Sequence, residues 1–164
     1  MTEELPSPAA MSEPARLVGI FWEPKPVFEN LALKPRFWSP LILLTVLAVL
    51  YSAAIARFVG WEEVVTRQLE SNERMQQLPA EQRERIIEQS LRLTVPLGYA
   101  GAALGTTMSA LLIAAVVLGM TNLFGGAALK FKQAFSLTCY SMLPMGLATV
   151  LSMVVLFLKD PADF

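Results

Sequence analysis

The sequence predicts an all-α polytopic membrane protein with three transmembrane helices, an N-terminal interfacial helix and a water-facing helical hairpin between the first two spans. Apolar residues make up 54% of the chain and charged residues only 16%, whereas soluble domains carry about a quarter charged residues. Charges are absent from residues 37–56, 94–127 and 133–158. Each stretch approaches or exceeds the roughly 20 residues that cross a hydrocarbon core about 30 Å thick.

The N-terminal region divides into a tail and a lead-in to the first span. Residues 1–12 are acidic and rich in proline, so we expect a disordered tail. Residues 13–38 mix large apolar side chains with cations, and prolines break them into pieces too short to cross a bilayer. We expect this lead-in to lie in the headgroup plane, with its rings inserted and its cations on anionic lipid headgroups. Its cations are Arg16, Lys25, Lys34 and Arg36. A loose tail is the alternative, which the density of apolar residues disfavours.

The first span is predicted at residues 39–59. Ser39 is a suitable N-cap, and Pro40 suits the first helical position. At a rise of about 1.5 Å per residue, Trp38 and Trp61 are separated by roughly 35 Å, which places one indole at each membrane interface. The predicted interface residues are Phe21, Trp22, Phe28, Phe37, Trp38 and Trp61.

The polar segment at residues 61–93 is predicted to form two helices, 61–76 and 79–93, separated at Pro79. Four pairs place an acid four residues before an arginine, a spacing that stabilises helices by about 0.2–0.5 kcal/mol per pair. The pairs are Glu63–Arg67, Glu70–Arg74, Glu81–Arg85 and Glu88–Arg92. A solvated connector between spans is the favoured interpretation, and a partner-binding hairpin is the alternative.

The second span is predicted at residues 97–121. Gly101, Gly105 and Ser109 recur every four residues, a spacing that lets helices approach closely. We expect this stripe to pack helices together, within one chain or between chains. A solute path beside Thr106 and Thr107 is the less favoured alternative.

The third span is predicted at residues 134–158, after a short basic turn that contains Lys130 and Lys132. Pro144 lies in the middle of this span, so a kink is expected there. Tyr140 and Ser141 precede the proline and are expected to satisfy the carbonyl that it leaves without a donor.

Catalytic and metal chemistry find little support in the sequence. The chain has no histidine and a single cysteine, Cys139, which excludes a disulfide within the chain and disfavours a zinc site. All acidic residues lie outside the predicted spans, so no acid–base pair or activated nucleophile is apparent. We expect no enzymatic activity, no catalytic residues, no cofactor and no metal. We also expect no nucleic acid partner, because the cations face lipid or pair with glutamates, and we identify no small-molecule substrate.

The order and spacing of several short motifs resemble the Ypt-interacting protein (Yip) domain family in its bacterial form. The resemblance covers most of residues 16–158. The matching positions are Gly19-Ile20-Phe21, Pro24, Phe28, Gly125-Gly126, Phe131-Lys132-Gln133-Ala134, Tyr140 and Pro144.

The resemblance implies about five spans and a cytosolic N-terminus. We therefore expect the chain to be a fragment that lacks two C-terminal helices. Eukaryotic members of the family bind small GTPases and act in vesicle traffic or membrane shaping, whereas bacterial members generally have no assigned role. The sequence offers no residues onto which a GTPase-binding site could be transferred.

The orientation in the membrane is not decided by counting cations. Six Lys and Arg residues lie on the N-terminal side, including the 130–132 turn, and seven lie on the other side. The basic lead-in has no signal sequence to translocate it, so we expect a cytosolic N-terminus in a bacterial inner membrane. The favoured function is a non-enzymatic scaffold, membrane-shaping protein or trafficking-type adaptor that assembles with itself or with other membrane proteins. A transporter, or a subunit of one, is the alternative.

Overall fold

The computed structural model describes residues 11–126 and 128–158, apart from the side chains of residues 73 and 74. All regular elements in these residues are helices. In chain order they are α1 (Glu13–Trp22), α2 (Pro24–Leu33), α3 (Trp38–Phe58), α4 (Trp61–Glu70), α5 (Glu73–Gln76), α6 (Ala80–Phe124), α7 (Phe131–Ser141) and α8 (Leu143–Leu158). The predicted tail at residues 1–12 lies outside the described residues except for Met11 and Ser12. Ser12 caps α1 by accepting a hydrogen bond from the Ala15 N–H at 3.4 Å.

Three helical stretches are long and apolar enough to cross a membrane. They are Trp38–Phe58, Ala80–Phe124 and Phe131–Leu158. Large apolar side chains along them are exposed, as at Leu104 and Val116, each more than 60% exposed. Such exposure is expected where lipid tails rather than water surround a helix.

The lead-in contains two helices where the sequence predicted one. Pro24 lacks the N–H that would continue the hydrogen bonding of α1, and it instead occupies the first turn of α2. The two helices pack closely, because a Cβ at Gly19 would lie only 3.0 Å from Cγ2 of Val27. The lead-in is therefore a helical hairpin with an inner face.

The start of the first span also differs from the prediction. Helix α3 begins at Trp38, and the Leu41 N–H donates to the Phe37 carbonyl. Ser39 therefore lies inside the first turn and is not the N-cap. Pro40 is tolerated there because first-turn N–H groups have no partner within the helix.

The polar segment is helical as predicted, but its helices have different bounds. The first prediction, 61–76, is interrupted after Glu70, where Ser71 and Gln76 donate side-chain hydrogen bonds to the Gln68 and Glu70 carbonyls. The second prediction, 79–93, is continuous with the second span through Pro96. Pro96 lacks the N–H for one helical hydrogen bond, yet α6 continues through it.

Two of the four predicted ion pairs form, Glu63–Arg67 and Glu88–Arg92. Among the described side chains no ion pair joins Glu81 and Arg85. The pair of Glu70 with Arg74 falls on a side chain outside the described residues. The formed pairs are exposed and therefore stabilise the helices only weakly.

The third span breaks at Met142, which separates α7 from α8. Pro144 lies in the first turn of α8, where its missing N–H leaves the fewest carbonyls unpaired. The Met142 N–H donates to the Thr138 carbonyl and closes the end of α7.

The chain divides into two compact units. In the described residues one unit contains the chain up to Leu44 together with Thr106–Leu147, and the other contains Thr45–Gly105 and the chain from Ala148. The first unit has two apolar clusters. One is formed by Ile20, Val27, Leu31, Leu44, Tyr140 and Leu143. The other is formed by Leu41, Ala110, Ala114, Phe135 and Cys139.

Candidate functional site

A polar cluster in the first unit is centred on the carboxylate of Glu13. This carboxylate accepts hydrogen bonds from Arg16 Nη1 at 2.9 Å, from Ser39 Oγ at 2.7 Å and from the Tyr140 hydroxyl at 3.0 Å. Arg36 Nη1 lies 3.6 Å from the same group. One side chain of α1 is thus connected to the first turn of α3 and to α7.

Arg16 provides the buried positive charge of the cluster. Its side chain is only 3% exposed. It donates from Nε at 3.0 Å and from Nη2 at 2.6 Å to Oδ1 of Asn30, which is itself buried. A buried guanidinium requires such satisfied donors and a nearby carboxylate, because an unpaired buried charge is strongly destabilising.

The prediction that Arg16 contacts lipid headgroups is wrong, because the Arg16 side chain is buried within this cluster. Arg16 lies one turn before Ile20 on α1, and Asn30 lies one turn after Val27 on α2; both apolar partners belong to the core. The available sequence signal was therefore a polar residue within the apolar stripe of each short helix. Glu13, Asn30 and Ser39 were not predicted as parts of a site.

The electrostatic environment favours the ionised form of Glu13. Burial raises the pKa of its carboxyl group. Hydrogen bonds from Ser39 and Tyr140 and the charges of Arg16 and Arg36 together lower the pKa by more than burial raises it. The net result is a pKa below the ordinary value of 4.5. At neutral pH the cluster therefore contains a carboxylate.

Side chains of α7 hold the last turn of α2 and the segment that joins α2 to α3. Gln133 Nε2 donates to the Ala32 carbonyl at 2.7 Å, and Ser136 Oγ donates to the Arg36 carbonyl at 2.7 Å. Gln133 Oε1 also accepts from the Lys130 N–H at 2.9 Å. The linker between α2 and α3 and the beginning of α7 are thus fixed to each other.

A pocket of about 320 Å³ lies beside the cluster. It is lined by residues 35–39, Glu13 and Lys132. Arg36 and Lys132 are exposed cations on opposite segments of this lining. We call it the Arg36–Lys132 pocket.

The predicted interface residues occupy different environments. Trp22 and Trp38 are 78% and 65% exposed, and Phe21 is also exposed. Phe28 and Phe37 are partly buried against the two apolar clusters. Their partial burial leaves only the outer face of the lead-in available for the predicted contact with the membrane.

Trp61 packs in the second unit against Gly98 and Tyr99. A Cβ at Gly98 would lie 2.6 Å from Cη2 of Trp61, and the Tyr99 ring meets the indole edge to face. Its Nε1 is buried without an acceptor among the described residues. Gly98 is therefore the residue that admits this indole.

All three positions of the predicted packing stripe on α6 lack close in-chain neighbours or are exposed. No described atom lies within 4 Å of a Cβ placed at Gly101 or Gly105, and Ser109 is exposed. The residues of α6 that pack within the chain are Ala110 and Ala114, both fully buried. In-chain packing by the predicted stripe is therefore not seen.

The side chains near Pro144 do not act as predicted. The Tyr140 hydroxyl donates to Glu13, and Ser141 Oγ donates to the Leu137 carbonyl at 2.9 Å. Cys139 is fully buried. No group of three His, Cys, Asp or Glu side chains that could hold a metal occurs in the part of the chain that the structure describes.

The family assignment follows from comparison with known proteins. The sequence profile of the Yip1 domain matches residues 18–163. The chain belongs to the Yip1 domain family. It is also 27% identical over 149 residues to the membrane protein YknW of Bacillus subtilis (strain 168). The aligned residues cover 91% of this chain and 60% of that protein. The chain therefore spans less than two thirds of the length of that relative. No solved structure matches it.

Membership of the Yip1 domain family and the three long apolar helices make the chain a membrane protein with transmembrane helices. Several residues that carried the resemblance have clear structural roles. Gly19 admits Val27, Tyr140 binds Glu13, and Gly126 follows α6 with a φ of +60°, a conformation that favours glycine.

Proposed function

We propose that this chain is a non-enzymatic membrane scaffold that assembles with a second copy of itself through Gly101 and Gly105 of α6. The scaffold lies in a bacterial inner membrane with its N-terminus in the cytosol. The observation that carries the proposal is the open space at both glycines, where a Cβ would meet no described atom within 4 Å.

The contrast within α6 supports a partner outside the chain. Ala110 and Ala114 are fully buried against Leu41, Phe135 and Cys139. Small residues on transmembrane helices allow close backbone approach, and the resulting van der Waals packing drives association because lipid tails supply no hydrophobic force. The glycines present such a surface without an in-chain partner among the described residues. A second α6 would cover it.

Leucine substitutions test this assembly. Gly101→Leu and Gly105→Leu are expected to lower the association constant at least about tenfold, which corresponds to about 1.4 kcal/mol. The measurements are light scattering of the purified chain in detergent and cross-linking in lipid vesicles. Ala100→Leu is the matched control, since it adds the same side chain at an exposed small residue on a different side of α6. Equal association of the glycine variants and the wild type, or a wild type that stays monomeric in vesicles, contradicts the proposal.

Solute transport is the alternative, and no observation favours it. Of the polar side chains that suggested it, Tyr140 and Ser141 already donate to Glu13 and to the Leu137 carbonyl. Ion-coupled carriers generally have acidic, basic or histidine side chains near the membrane midplane, and the three uncharged stretches contain no Asp, Glu, Lys, Arg or His. Solute flux into vesicles that contain the purified chain would distinguish transport from scaffolding.

A further inference from the structure

The Arg36–Lys132 pocket carries a positive charge that the polar cluster does not neutralise. The Glu13 carboxylate already accepts hydrogen bonds from Arg16, Ser39 and Tyr140. Arg36 lies 3.6 Å from it, beyond hydrogen-bond distance, and the Arg36 side chain is 70% exposed. No carboxylate among the described residues lies within 4.0 Å of Lys132.

The charges in the pocket can be counted by pairs. The partly buried Glu13 carboxylate lies near two arginines, 2.9 Å from Arg16 and 3.6 Å from Arg36, and it neutralises only one of these two charges. Arg36 and Lys132 then remain as two cations on the pocket lining, with solvent-accessible ends. An anion between them would be attracted by both.

The two cations are held on segments that are connected by hydrogen bonds. The Arg36 carbonyl accepts from Ser136, which lies one turn after Lys132 on α7. Gln133, the neighbour of Lys132, donates to the Ala32 carbonyl. Because both connections are to the backbone, the spacing of the two segments is set before any ligand arrives, which lowers the entropy cost of binding.

The level of the pocket relative to the membrane follows from the helices that begin beside it. The candidate span Trp38–Phe58 starts at the pocket lining, and the candidate span Phe131–Leu158 starts one residue before Lys132. Trp38 belongs to the lining and is 65% exposed, as expected for an indole at the headgroup level. The pocket therefore lies at the beginnings of two candidate spans, the level at which we expect lipid phosphates.

We propose that the Arg36–Lys132 pocket binds the phosphate of an anionic phospholipid headgroup. Arg36 supplies a planar fork that suits phosphate oxygens, and Lys132 supplies a second positive charge. The volume of about 320 Å³ is near the lower end of small-ligand sites, about 300 Å³, so it fits a headgroup rather than a whole lipid. This site goes beyond the proposed self-association and does not depend on Gly101 or Gly105.

Native mass spectrometry of the purified chain in detergent tests the site, with phosphatidylglycerol, phosphatidylcholine and inorganic phosphate as separate probes. The wild type is expected to bind phosphatidylglycerol preferentially. Arg36→Gln and Lys132→Gln are each expected to weaken that binding about five-fold, and the double variant about thirty-fold. The double variant Lys25→Gln with Lys34→Gln is the matched control, because it removes two exposed cations of the lead-in that do not line the pocket.

Three results would overturn the proposal. The first is undiminished binding of phosphatidylglycerol by the Arg36 and Lys132 double variant. The second is an equal loss in the Lys25 and Lys34 control, which would indicate general surface attraction. The third is displacement of the lipid by equimolar inorganic phosphate, which would assign the site to a soluble ligand.

A wild-type experiment covers the case in which a variant fails to fold. Photo-crosslinking with a phosphatidylglycerol that carries a reactive headgroup is expected to label residues 35–39 and 131–133. Labelling confined to other segments would contradict the site.

Discussion

The Tyr140 hydroxyl donates a hydrogen bond to the Glu13 carboxylate at 3.0 Å, although the two residues are 127 positions apart in the chain. The same carboxylate is bound by Ser39 at the beginning of α3. Glu13 therefore anchors the lead-in hairpin to two membrane-crossing helices at once. This relationship makes the N-terminal segment part of the folded membrane domain.

Replacing Glu13 by glutamine is expected to loosen the hairpin. The substitution removes a charged acceptor and leaves the buried Arg16 guanidinium without its counter-charge, so we expect a loss of about 1–3 kcal/mol in the free energy of unfolding. Thermal unfolding in detergent measures this loss. Glu29→Gln is the control, since Glu29 is an exposed glutamate of the same hairpin. Equal stability of the two variants would show that the cluster does not hold α1 in place.

Acidification is expected to weaken the same attachment. The pKa of Glu13 lies below its ordinary value of 4.5 in the folded protein. A carboxyl group with a lowered folded pKa stabilises the fold fully above the unfolded value, and this contribution disappears as the pH falls through the folded value. The stability difference between the wild type and Glu13→Gln should therefore be constant near pH 7 and shrink below pH 4.5. A difference that persists unchanged at pH 3 would contradict this assignment.

Gly98→Ala is expected to displace the indole of Trp61. The new methyl group would lie 2.6 Å from Cη2 of Trp61, and such overpacking costs about 1–3 kcal/mol. Fluorescence of Trp61, measured with Trp22 and Trp38 replaced by phenylalanine, should shift to longer wavelength as the ring becomes exposed. Gly119→Ala is the matched control, because its methyl group meets no described atom within 4 Å and Gly119 is not part of the proposed assembly surface. An unchanged emission spectrum of the Gly98 variant would refute the close contact.

The orientation can be read from a single engineered cysteine. Ser71 is exposed at the end of α4, and the native Cys139 is fully buried, so a bulky hydrophilic maleimide should react only at the new position. We expect Ser71→Cys to be labelled from the periplasmic side of intact cells and Lys34→Cys only after the membrane is opened. The reverse pattern would place the N-terminus outside.

The positions of the long apolar helices were predictable because they depend on local composition. An uncharged stretch of sufficient length partitions into lipid whatever the rest of the chain does. Helix boundaries were less predictable. The second span was predicted to begin at residue 97, yet α6 begins at Ala80 and continues through Pro96. The loss of one hydrogen bond at a proline is small beside the many that a long helix can form.

The candidate site was largely hidden from sequence reasoning. Arg16 was expected on lipid headgroups because cations beside aromatic residues commonly lie there. The structure instead buries Arg16 against Asn30. The partners of these residues come from distant segments, such as Tyr140 of α7, and no local pattern indicates which polar groups will meet. The position of Arg16 and Asn30 within the apolar stripes of their helices was the one local indication that they are buried.

The sequence by itself determined the membrane class, the number of long apolar helices and the resemblance to the Yip1 domain family. The first two properties follow from hydrophobicity, which is summed over a local stretch of the chain. The resemblance follows from the order of motifs along the chain. Only the tertiary structure decided that the lead-in is a hairpin anchored by Glu13, that Ala110 and Ala114 pack while Gly101 and Gly105 stay open, and that Arg36 and Lys132 share a pocket. Those outcomes depend on which helices lie side by side, and contacts between remote residues are settled by packing and burial of charge rather than by local composition.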